Sequence, residues 1–94
     1  PVQRETKAPE STTGAQDYQR QKEAAKERRA LERELKAQEE RSEAIDAELS
    51  ALEEKLADPA HTTDAKLFEQ YSQLKKEQEQ VLARWEELSM QLEG

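Results

Sequence analysis

What most constrains this chain is a mirrored spacing of apolar residues about one short stretch, Leu56-Ala57-Asp58-Pro59 through Thr63-Asp64-Ala65-Lys66-Leu67. Pro59 crowds Asp58 out of the α region and removes a backbone donor, so a helix must stop there. Thr62, Thr63 and Asp64 can then cap a new one. Backwards from the break run Leu56, Leu52, Leu49, Ile45, Ser42, Gln38, Leu35 and Leu31; forwards run Leu67, Tyr71, Leu74, Gln78, Val81, Trp85, Leu88 and Leu92. Both series step by 4, 3, 4, 3, 4, 3 and 4, and the numbers of each successive pair sum to 123. Two helices folded back on each other as an antiparallel coiled coil require that pattern. The spacing therefore predicts an all-α fold, a two-helix antiparallel coiled-coil hairpin. Its first helix runs over about 17–57, the turn over about 58–63 and the second helix over about 64–93.

Composition agrees with a narrow seam and not with a wide core. Aromatic residues make up 4% and charged residues 39% of the 94, which leaves too little apolar surface for a compact globule. A coiled coil needs only two apolar positions in seven, so the same composition suits it. Residues 1–16 carry Pro1, Pro9, Gly14 and a Ser11-Thr12-Thr13 run without periodicity, and read as a disordered, flexible leader or linker. From Asp17 the chain turns to Ala, Glu, Lys, Arg, Gln and Leu, all strong helix formers. A first residue that is proline and not methionine reads as a piece of a longer protein.

The unequal helix lengths matter. Leu31 is the last residue of the first helix with a seam partner, Leu92, so residues 17–30 are expected to overhang by about 20 Å. Continuing the heptad backwards meets Arg28, Ala24, Gln21 and Asp17, which cannot build an apolar core. The net charge of −7 hides an asymmetry in the same place. Residues 17–29 hold five basic and three acidic groups, residues 30–56 four and nine, and residues 57–94 four and eight. The only basic region thus coincides with the unpaired overhang. A solvated helix end, a nucleic-acid contact and a docking arm all fit that coincidence.

Within the seam, Trp85 falls opposite Gln38 and Val81 opposite Ser42. Trp85 is therefore expected in the core, with its indole donor on the Gln38 amide. Gln78 opposite Ile45 is a polar intrusion of the kind that fixes register. On the flanks Asp46 is expected near Lys75, whereas Arg41 falls near Arg84 and Glu48 near Glu77. An Arg41–Arg84 anion site and splayed, solvated side chains are the two readings of the first like-charge pair.

Several chemistries are excluded or given no footing. With no cysteine there is no disulfide and no thiolate nucleophile or ligand. No apolar run approaches the roughly 20 residues of a bilayer span, so no membrane contact is expected, and the location is expected to be cytoplasmic. No Gly-rich phosphate loop occurs. His61 with Asp58 and Asp64 on one turn is too small a set for a metal site, so no bound metal is expected. The carboxylates lie along exposed faces where nothing tunes them for acid–base work, so no enzyme activity is expected of this chain.

The Leu56-Ala57-Asp58-Pro59 break, the helix after it and the string Arg84-Trp85-Glu86-Glu87-Leu88 resemble the C-terminal coiled-coil domain of ABC-F (Uup-type) ATP-binding-cassette ATPases. The resemblance covers about residues 17–94, and the leader is similar to the linker after the second cassette. It implies a soluble parent that hydrolyses ATP in its cassettes, mostly on ribosomes, with ATP and Mg bound there and no cofactor in this hairpin. It also implies that the hairpin is a non-catalytic nucleic-acid-binding domain for DNA or ribosomal RNA, expected to be a monomer. The residues expected to carry binding are Arg20, Lys22, Lys26, Arg28, Arg29, Arg33 and Lys36. Arg29, Arg33 and Lys36 share a helix face, as do Lys22, Lys26 and Arg29. Such a stripe follows a phosphate backbone without reading bases, so binding is expected to be weak and salt-dependent. The alternative is a structural spacer or protein-docking arm that contacts the parent ATPase domains or a ribosomal protein. A self-associating coiled coil without a nucleic-acid role is the third reading.

Overall fold

The computed structural model describes the backbone of residues 2–94 and the side chains of residues 14–94. Two helices, α1 (Val2–Ala57) and α2 (Ala65–Glu93), fold back on each other around a short 3-10 turn, Pro59–His61. The molecule is a rod of 90 × 18 × 14 Å, and among the described residues there is no strand. The expected leader, residues 1–16, falls mostly on side chains outside the described set. Gly14, Ala15 and Gln16 are described and helical.

The turn forms where the proline demands it. Asp58 leaves the helix with φ −74° and ψ 125°, and its carboxylate accepts from the Ala60 amide at 3.0 Å. Pro59 opens the 3-10 segment, where its missing N–H costs nothing. The Thr62 hydroxyl closes it by donating to the Pro59 carbonyl at 3.0 Å. Of the three expected caps Asp64 takes the role for α2, accepting from the Lys66 and Leu67 amides at 3.1 and 3.4 Å. Both aspartates of this loop are thereby engaged by backbone amides, and His61 is exposed.

The mirrored seam is the packed seam. Fifteen of its sixteen positions are buried or half-buried, and only Trp85 lies at the exposed border. Ile45 and Leu88 are fully enclosed, and Leu49, Leu52 and Val81 are buried beside them. Ile45, Leu49 and Val81 form the central cluster, with Tyr71 and Leu74 packed against it. The core is one side chain thick because a two-helix pair buries only its a and d positions. With Leu31 at d and Leu35 at a, every other residue of α1 takes its place around the rod.

That register corrects three sequence expectations. Trp85 is 36% exposed, and its indole Nε1 donates to Glu39 at 3.1 Å, not to Gln38. An indole too wide for a one-layer seam tips outward, which carries its donor to the neighbouring e position. Asp46 accepts from the Gln78 side-chain amide at 2.8 Å, while the Lys75 ammonium sits over the Tyr71 ring, 5.7 Å from its centroid. The polar intrusion at Gln78 is thus satisfied by the residue expected to hold Lys75. The third correction concerns Arg41 and Arg84, which do not meet. Each g residue of one helix lies between two g residues of the other, one heptad apart, and opposite charge decides between them. Arg41 forks onto Glu77 with contacts of 2.6–2.9 Å, and Arg84 forks onto Glu34 at 2.7 and 3.0 Å. Both pairs sum to 118, whereas the like-charge pairing of Arg41 with Arg84 sums to 125.

Candidate nucleic-acid interface

The seven basic residues singled out from the sequence separate into two groups once the heptad is laid on the helix. Lys22, Arg29 and Lys36 occupy b positions, and Lys26 and Arg33 occupy f positions. At about 100° per residue these five fall within an arc of about 80°, centred on the side of α1 opposite the seam. All five are exposed. They rise alternately by 4 and 3 residues, or about 6 and 4.5 Å, to make a stripe about 21 Å long. Among the described residues none of the five enters an ion pair. The stripe stops abruptly, because the next f and b positions are Glu40 and Glu43.

Arg20 and Arg28 stand apart from that face. Arg20, at a g position, lies 3.9 Å from Asp17 one turn earlier. Arg28, at an a position, turns towards α2 and donates to the Leu92 carbonyl at 3.0 Å, with Glu32 at 3.4 Å. An arginine on the last free carbonyls of a helix is well placed against the negative end of its dipole. Arg28 therefore clamps the end of α2, and the helices stay in touch one turn beyond Leu31. A shallow hollow lined by Ala24, Ala25, Arg28, Leu31, Gln91 and Leu92 marks that last contact. Lys22 lies beyond it, Lys26 and Arg29 lie beside it, and Arg33 and Lys36 lie on the back of the paired segment. The stripe is thus a property of the outer face of α1 and is not confined to the overhang.

The electrostatics of the two arginine forks contrast with the stripe. The hydrogen bond from Arg84, and then its charge, hold Glu34 below the usual carboxylate range against the opposing effect of burial. Arg41 does the same for Glu77, chiefly through its hydrogen bond. Their partners' guanidinium pKa values move up, for Arg41 because of Glu77 and for Arg84 because of Glu34 and then Glu87. These forks neutralise one edge of the hairpin. Sequence reasoning missed them because it counted only the nearer of two g neighbours. The signal was present as Glu34 and Arg41 facing Glu77 and Arg84, each pair one heptad apart with its signs reversed.

Among the described residues no group of three or more His, Asp or Glu side chains is placed to hold a metal ion. No helix is long and apolar enough to cross a membrane among the described residues. Comparison with known proteins gives no match, whether to a family model, a curated protein or a solved structure.

Proposed function

We propose that this hairpin is the non-catalytic nucleic-acid-binding module of a soluble ABC-F ATPase, contacting phosphates through Lys22, Lys26, Arg29, Arg33 and Lys36. One observation carries the reading. Five cations share one exposed face opposite the seam and, among the described residues, none of them is in an ion pair, whereas Arg20, Arg28, Arg41 and Arg84 are all engaged. The family resemblance of the Asp58-Pro59 break and of Arg84-Trp85-Glu86-Glu87-Leu88 supplies the parent. The stripe offers ammonium and guanidinium groups to a phosphate backbone, and a rod bearing it has no element that enters a groove to read base edges. The acidic remainder of the surface repels the same ligand, which keeps affinity low and lets salt dissolve the complex.

The test is a titration of the whole chain with labelled duplex DNA and with a structured RNA hairpin over a range of salt concentrations. Five phosphate contacts on a duplex give a logarithmic salt slope of about −4.5. Binding at low salt with a slope of that order, and little difference between sequences, supports the proposal. No binding to either ligand at low salt would overturn it in favour of a spacer or docking arm.

A further inference from the structure

The edge of the hairpin opposite the arginine forks is organised in another way. There α1 presents Glu39, Asp46 and Glu53, all at e positions and about 10 Å apart. Each accepts from a neutral donor of α2: Trp85 Nε1 at 3.1 Å, Gln78 Nε2 at 2.8 Å and the Tyr71 hydroxyl at 3.2 Å. A neutral donor orients a carboxylate without cancelling its charge. Among the described residues none of the three is in an ion pair. The e positions of α2 flank the same edge and carry Phe68 and Leu82, 50% and 47% exposed, with Lys75 between them drawn over the Tyr71 ring. With the outward-tipped Trp85 they spread apolar surface over about 25 Å beside the row of acids, interrupted at Lys75. The other edge closes both its arginines onto carboxylates of the facing helix; this one leaves three carboxylates and the apolar side chains beside them open.

We infer that this edge is a docking surface for a basic amphipathic helix of another protein, laid along the hairpin as a third strand of the coil. Charge complementarity selects the occupant. The carboxylate row calls for Lys or Arg at heptad spacing, and Phe68, Leu82 and Trp85 call for apolar residues on the adjoining face. Nucleic acid and anionic membranes are repelled by the same row. A second copy brings cations on Lys22, Lys26, Arg29, Arg33 and Lys36, but no apolar residue lies among those b and f positions. The surface is separate from the phosphate-binding stripe and stands or falls independently of it.

Trp85 is the only tryptophan and lies on the edge, so its emission reports docking directly. The probe is a synthetic peptide of about 20 residues, helical over about 30 Å, with Leu on one face and Arg along its flank. A scrambled peptide of identical composition and a version with Glu for Arg complete the set. The first peptide is expected to shift Trp85 emission to the blue and bind saturably, and the other two are not. Neutralising the row with Glu39→Gln, Asp46→Asn and Glu53→Gln keeps one acceptor oxygen at each position for the donor on α2 and should weaken binding by about tenfold or more. Phe68→Gln with Leu82→Gln should do the same, with helicity by circular dichroism confirming that the hairpin persists. Equal binding of the scrambled peptide would reduce the edge to non-specific charge and overturn the proposal. So would unchanged affinity in both variants, or a chain dimer in sedimentation that Phe68→Gln with Leu82→Gln dissolves.

Discussion

Arg41 and Arg84 in the paired segment, and Lys22, Lys26 and Arg29 near the start of the rod, bear the same charge and have opposite fates. In the paired segment g positions of the two helices face one another, and Arg41 and Arg84 each close a fork on the carboxylate one heptad away. At b and f positions no second helix is within reach, so the cations stay in solvent. Heptad position, and not residue type, decides whether a basic side chain braces the fold or remains available to a ligand. Arg28 shows the rule within the basic run itself, because its a position turns it inward to cap α2.

The buried core of the paired segment should show the largest effect. Ile45→Ala empties a fully buried position and should cost about 3 kcal/mol in chemical denaturation. Tyr18→Ala, on the unpaired run and 64% exposed, should leave the midpoint unchanged. A comparable loss from Tyr18→Ala would mean that the overhang is packed and the contrast false. Trp85→Ala comes next. A tipped, partly exposed indole forfeits less than a buried one, so about 1–2 kcal/mol is expected from the same measurement. A loss as large as that of Ile45→Ala would place the ring inside the seam after all.

The forks give a smaller but more diagnostic effect. Arg41→Glu sets two carboxylates against each other if Arg41 faces Glu77, and makes a favourable pair if it faces Arg84. A lower Tm is expected, restored when Glu77→Arg is added; a raised Tm in the single variant would establish the other register. The smallest effect is that of pH. Glu34 and Glu77 have folded pKa values below their unfolded ones. Their contribution is therefore complete above the ordinary carboxylate range, about pH 4. It is lost as pH falls through the lowered values, where the unfolded chain binds more protons. Thermal melts across that window should show a steeper acid loss for the parent than for Arg41→Gln with Arg84→Gln. Parallel curves would remove the forks from the account.

The seam, the turn and the cap on α2 were legible in the sequence because each depends on local rules. A proline fixes its own φ, an aspartate caps two residues on, and a heptad repeats along one chain. The flanks were not legible. A long arginine at g can reach either of two opposite neighbours, and spacing alone does not choose between Arg84 and Glu77. The indole of Trp85 posed a similar choice between Gln38 and Glu39, settled by how much width a one-layer core provides. The basic stripe stood between these cases. Its residues could be named from the sequence, but the separation of Arg20 and Arg28 from the other five needed the a and g positions to be occupied.

The most direct test of the phosphate-binding stripe compares two charge reversals of equal size in one binding experiment. Lys22→Glu, Lys26→Glu and Arg29→Glu alter the outer face near the start of the rod; Lys66→Glu, Lys75→Glu and Lys76→Glu make the same change on α2. Affinity for labelled duplex DNA is measured at low salt and then along a salt series, with helicity checked in both variants. The first variant is expected to lose most of its affinity, and its salt slope to fall by about 3, one per contact. The second keeps the parent's slope and loses only the small amount that net charge imposes. Equal losses in the two variants would contradict the stripe and leave binding to the overall charge of the rod.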